Sequence, residues 1–268
     1  MKKAISALLI ISSLIILSCN NKNKHNSESS NDIDDFFASI KGDIRDFNAI
    51  KLSQDMLYAI RTEENYEMQL DTLASVNLNY LDSILNTENI KKAFWLNTYN
   101  SLAQAILFED SNSYKNDLKA FFKLKNIEIG GIALSLDDIE HGIFRMDYRN
   151  DEEVDKFLNT FRLNELDYRI HFSLNCGGNS CPPIAFYEPE KIEKQLNTAI
   201  KTYLEQEAFY EDESNTVYAP EIMSWYKDDF GGKEGIISIL KHHNIIPDKS
   251  KPKLKFKAFN WSLKMRKF

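Results

Sequence analysis

Cysteine is scarce in this chain. Three cysteines in 268 residues are too few for a disulfide-built scaffold. Glycine (9) and proline (6) are also few, and no glycine signature of a P-loop or a Rossmann turn occurs. No internal repeat is present, which sets solenoids and propellers aside. Basic residues are outnumbered, with 33 Lys and Arg against 40 Asp and Glu and a formal net charge of −7. That balance argues against general nucleic-acid binding. No cofactor signature is found. What is abundant is aromatic side chain, with 17 Phe and 12 Tyr, enough to fill a sizeable core.

The N-terminus carries the longest apolar run. Lys2 and Lys3 precede Ala4 to Leu17, which are almost wholly apolar. The run is short for a membrane span and reads as a secretory signal. It ends Ile16-Leu17-Ser18-Cys19, which looks like a bacterial lipoprotein cleavage box. The resemblance implies a signal peptide over 1–18 and lipidation of Cys19. The alternative is an ordinary signal or anchor with an incidental cysteine. Residues 19–31, rich in Asn, Ser and Lys, read as a disordered tether. The lipid bilayer is then a partner, and the folded part sits in the cell envelope, on the periplasmic or outer-surface side. Without residues 1–18 the balance is 31 basic against 40 acidic residues, a charge of −9.

Periodicity supplies the elements. Apolar spacing predicts helices over 32–60 and 68–85, forming an N-terminal helical region over 32–87. A nearly all-apolar helix over 88–108 follows, of the kind buried on most sides. Ile127 and Ile129, Gly130-Gly131, and Ile132 and Leu134 predict a hairpin. A helix from Asp137 to Met146 is expected, with Asp137 and Glu140 as its capping box, and another over 151–161. Tyr168 to Leu174 alternates like a buried strand. Helices are expected from Pro189 to Gln206, over 222–230 with Gly231-Gly232 ending it, and over 234–243, with a strand at 216–219. Lysines alternating at Lys251, Lys253, Lys255 and Lys257 suggest a protected edge strand. The fold class is α+β, many helices around a small, mostly antiparallel sheet.

Five ordered blocks carry a resemblance. They are Phe94 to Asn100, Ser135 to Arg145, Arg169 to Pro183, Trp225 to Phe230, and Asn260 to Leu263. In order and spacing they resemble the family called domain of unknown function five-four-seven, here over residues 88–268. The family has no established activity. The resemblance implies a papain-like thiol hydrolase fold with rearranged motif order, and it places the family's glutamate-histidine pair on Glu140 and His141 and its loop cysteine on Cys176. The last block departs from the family pattern at Asn260 and Lys264, which weakens any role for an acid there.

Thiol catalysis needs a thiolate, a base and N–H donors for an oxyanion. Cys176 precedes Gly177 and Gly178, two N–H groups without side chains. Cys181 precedes Pro182 and Pro183, which have none. Cys176 is therefore the better nucleophile. His141 shares a helix face with Arg145 and is the better base. His171 lies five residues before Cys176, so an extended strand would point the two to opposite faces, and His171 is expected to be structural. Glu140 is retained on resemblance alone, since adjacent helical residues point about 100° apart. Asn97 and Asn100 are candidates to orient the histidine or donate to an oxyanion; the alternative is buried amides bonded to nearby backbone. His171, Cys176, Cys181 and His141 match no familiar zinc spacing, so no metal is assigned. The expected function is an envelope-anchored thiol hydrolase or acyl transferase acting on an amide or peptide-like substrate. The alternative is a non-catalytic binding lipoprotein in which Cys176 and Cys181 form a structural disulfide.

Overall fold

A buried helix organises the chain. In a computed structural model that describes residues 47–147 and 152–268, α1 (Ala49–Thr62), α2 (Glu67–Ser75) and α3 (Leu78–Ile84) precede the long α4 (Glu88–Glu109). The expected signal segment, tether and the start of the first helix fall outside the described residues. The 68–85 pattern divides into two helices because Asn77 caps the second, its side chain accepting from the Tyr80 N–H at 3.0 Å. Thr87 caps α4 in the same manner. Every residue of α4 from Lys92 to Leu107 is buried, as its all-round apolar sequence requires. Against it pack α1 and, on its Trp95, the rings of Phe157 and Phe161.

Short helices α5 (Ser111–Asn116) and α6 (Leu118–Lys123) lead to the hairpin β1 (Ile127–Ile129) and β2 (Ile132–Leu134). Next come α7 (Leu136–Asp138) and a π-helical turn over Ile139–Phe144. Here the expected capping box is displaced. Ser135 is the cap: its Oγ accepts from the Asp138 N–H at 3.0 Å, while Asp138 accepts from the Ser135 N–H at 2.9 Å. The capping box expected of Asp137 and Glu140 is thus made by Ser135 and Asp138. The helix α8 (Glu152–Phe161) packs on the π turn.

The expected strand at 168–174 is a 3-10 turn over Tyr168–Phe172. Asp167 caps it by accepting from the Arg169 N–H, and bonds run from Ile170 to the Asp167 carbonyl and from Ser173 to the Ile170 carbonyl. Alternation misled because residues 170–175 are all buried, whatever their parity. Asp167 is also held in a buried pair with Lys92 at 2.7 Å. Burial opposes its charge, yet hydrogen bonds from Arg169 and Lys92 outweigh this and hold its carboxyl down at about 2.

A 3-10 turn over Pro189–Lys191 opens α9 (Ile192–Glu207). Then follow β3 (Phe209–Glu211), β4 (Thr216–Pro220), α10 (Ile222–Trp225), α11 (Gly232–His242) and β5 (Lys253–Lys257). The expected helix over 222–230 stops at Trp225. Gly231 and Gly232 stand at the start of α11 rather than at the end of α10, Gly231 in the left-handed region at φ 74°. Strand β4 is central: β3 pairs with it antiparallel and β5 parallel, so the lysine-rich strand is an edge. A second core of Phe172, Ile200, Leu204, Val217, Met223 and Phe230 lies between this sheet and α9.

Three amides on one face of α4 join the two cores. Asn97 donates to the Tyr187 carbonyl at 2.9 Å and accepts from the Tyr187 N–H at 2.8 Å. Asn100 donates to the Ser173 carbonyl at 3.0 Å and accepts from the Asn175 N–H at 2.8 Å. Gln104 donates to Asn175 Oδ1 and accepts from the Arg266 N–H. Asn97 and Asn100 thus serve as buried backbone clamps. Asn97→Ala orphans the buried Tyr187 N–H, while the Tyr187 carbonyl keeps its bond from Gln54 at 2.9 Å, and is expected to cost about 1–3 kcal/mol. Thr98→Val, where the buried hydroxyl has no partner, is expected to be neutral or stabilising. Urea denaturation of both variants checks the contrast.

Candidate active site

The clamped loop delivers its cysteine to a cavity of about 210 Å³ lined by Cys176, Glu140, His141, His171, Tyr99 and Tyr226 among others. Residues far apart in sequence thus meet at one place. Trp225, Phe259 and Trp261 also line it. Trp225 and Trp261 stack at 5.4 Å, and Trp225 is 42% exposed. Trp95, by contrast, is wholly in the core.

Asp137 and Glu140 line the cavity. Glu140 accepts from Tyr226 at 2.6 Å and from Tyr99 at 3.0 Å. His141 takes partners other than those of Glu140, in keeping with their divergence on the helix. Its Nδ1 lies 2.8 Å from Arg145 Nη1. A guanidinium can only donate, so this nitrogen is an acceptor. The other ring nitrogen faces Asp137 at 3.4 Å. The wider π turn brings these groups together, with the Arg145 N–H reaching the Glu140 carbonyl five residues back, the kind of distortion common at functional sites.

Arg145 also forms a two-pronged pair with Asp229, at 2.7 and 3.1 Å. Asp229 receives His171 Nε2 as well, at 2.8 Å. Burial would raise the Asp229 carboxyl, but its bonds from His171 and Arg145 hold it well below the usual carboxylate range. Tyr226 lies between His171 and Arg145, stacked on the imidazole at 4.2 Å with the Arg145 guanidinium 4.7 Å from its ring centre. Burial, and then the charge of Glu140, pushes the phenols of Tyr99 and Tyr226 well above their ordinary value.

Cys176 and Cys181 are joined in a disulfide. The Gly177 N–H donates to Asn175 Oδ1 at 3.0 Å and the Gly178 N–H to Cys181 Sγ at 3.1 Å. Both of the expected oxyanion donors are therefore engaged within the loop. The last block explains itself as a clasp: Asn179 and Ser180 donate to the Ser262 and Asn260 carbonyls, and Lys264 donates to that of Gly177. Among the described residues, no group of three or more His, Cys, Asp and Glu is placed to hold a metal ion, and no helix is long and apolar enough to cross a membrane.

The 3-10 turn removes the parity argument that set His171 apart from Cys176, since both line one cavity. Sequence reasoning assigned no role to Tyr99 or Asp229 and gave Asp137 only a capping one. Both Tyr226 and Asp229 lie in the block from Trp225 to Phe230, and the need of Arg145 for an acid is the signal that points to Asp229.

Residues 84–204 match the model of a family described as "Protein of unknown function, DUF547". The tryptophan block at 225–230 and the C-terminal clasp lie beyond the matched stretch. No curated protein matches the chain, and no solved structure matches it.

Glu140→Gln keeps an acceptor but removes the charge beside the phenols. Tyr226 is expected to ionise at lower pH in this variant than in the parent chain. Alkaline titration followed by ultraviolet phenolate absorbance checks this; an unchanged profile would deny Glu140 that role.

Proposed function

We propose that the cavity is a cysteine-dependent acyl-transfer site, competent when Cys176 is a free thiol. The supporting observation is the shared cavity wall, which carries Cys176, His171, His141 and Glu140 together. Cys176 is the nucleophile. His171 is its base, in place of His141: Asp229 engages Nε2, leaving Nδ1 as the acceptor, in the manner of a base oriented by a third group. His141 spends its acceptor nitrogen on Arg145 and acts as a positioning residue with Glu140. Attack on an amide carbonyl gives a thioester as the amine leaves with the proton held by His171. Water or a second acceptor then takes the acyl group. The aromatic platform of Trp225, Phe259 and Trp261 offers a face for a peptide-like or ring-bearing substrate. Kinship with papain-like thiol hydrolases belongs to this proposal.

Activity toward amide or peptide-like substrates is expected to vanish in Cys176→Ala with the fold intact. After reduction, Cys176 is expected to alkylate at pH values below the ordinary thiol pKa of about 8.5, and His171→Ala is expected to remove that reactivity. Loss in His141→Ala instead would reverse the assignment of the base. The disulfide itself favours a second reading, a binding module whose cysteine pair is structural. A thiol that stays inert after reduction supports it.

The chain is further proposed to be anchored to the cell envelope by a lipid on Cys19. Fatty-acid labelling of the wild-type chain, absent in Cys19→Ala, is the expected outcome in a bacterial host.

A further inference from the structure

The two sulfurs of the disulfide stand in unlike surroundings. Cys176 is half-buried and lines the cavity. Cys181 has no exposed surface. Two backbone N–H groups are aimed at the buried sulfur, that of Cys176 at 3.2 Å and that of Gly178 at 3.1 Å. A disulfide sulfur is a weak acceptor, so these contacts contribute little while the bond is closed. On a thiolate they become charge-assisted and much stronger.

The loop's shape makes this nest. Gly177 sits in the left-handed region at φ 87°, where a Cβ would strike Leu107 at 2.4 Å. A Cβ on Gly178 would press on Phe259 and Tyr114. The C-terminal clasp, with Gly178 bridged to Leu263 and Asn260 receiving and returning bonds with Ser180, ties the loop independently of the disulfide. Asn100 and Gln104 hold its base. The frame therefore persists when the sulfurs part.

We propose that Cys176–Cys181 is a thiol–disulfide exchange centre of fixed polarity, in which a dithiol entering the cavity attacks Cys176 and expels Cys181 as a thiolate held by the amides of Cys176 and Gly178. The incoming thiolate forms a bond to Cys176 Sγ as the Cys176–Cys181 bond breaks, its electron pair passing to Cys181. The second thiol of the dithiol then attacks the reductant's own sulfur in the mixed disulfide. Cys176 leaves as a thiolate, the reductant closes to a disulfide, and the two protons of the dithiol end on the two cysteines. Two electrons pass from reductant to protein. Independent of the acyl-transfer reading, this exchange would also uncap the thiol that reading needs.

The polarity is testable on the full chain with variants that keep one cysteine of the pair. Cys181→Ser and Cys176→Ser are each reduced, then exposed in native buffer to oxidised glutathione, with adducts mapped by peptide mass. Glutathionylation of Cys176 in the first variant is expected to be at least about tenfold faster than that of Cys181 in the second, because rate follows access. Equal rates, or faster reaction of Cys181, would overturn the assignment. Wild-type protein treated with dithiothreitol without denaturant is expected to open the bond and to reclose it on oxidation. A bond that opens only in denaturant would equally defeat the proposal. Neither measurement requires hydrolase activity, so a failure of the acyl-transfer reading leaves its outcome distinct.

Discussion

The amide face of α4 is the constraint on which the rest depends. Asn97, Asn100 and Gln104 lie on one side of a helix buried along most of its length, where no water is at hand to satisfy polar groups. Each side-chain amide both donates and accepts, and each donates to backbone or side chain of the cysteine loop and its continuation. The helix therefore dictates the path of residues 173–187. That path is irregular, and it is tolerable in the interior because α4 does what a neighbouring strand would otherwise do.

Electrostatic order in the cavity follows from this placement. With the loop fixed, His171 meets Asp229, and Asp229 meets Arg145. Arg145 in turn decides which nitrogen of His141 can accept. Glu140, released from capping by Ser135 and Asp138, is left to two phenols. Each polar group thus has a partner of matching kind, which is the condition for a charged network to sit half-buried without a large desolvation cost. The stack of His171, Tyr226 and Arg145 adds contact area to the same groups.

Much of the fold was legible in the chain. The apolar run of α4, the Gly130-Gly131 hairpin and the lysine-alternating edge strand were expected and are present, as is the α+β class. Helix limits near proline and cap residues were also close. The errors share a cause. The 168–174 alternation looked like a strand because period-two patterns signal one buried face, whereas here both faces are buried. The capping box was placed two residues late because Asp137 and Glu140 satisfy the same spacing rule as Ser135 and Asp138. In both cases tertiary surroundings chose between local alternatives that the sequence leaves nearly equal.

What the sequence determined by itself is the set of chemical groups and their local backbone: the cysteine loop with its glycines, the amide-bearing helix, the capped turns. Those follow from steric and hydrogen-bonding rules acting over a few residues. What only the tertiary structure decided is partnership. Asp229 stands 58 residues from His171 and 84 from Arg145, and Tyr226 stands 86 from Glu140. No local rule reaches that far. Such pairs form because packing the two cores around α4 brings buried charges close, where each must find a counterpart to remain buried.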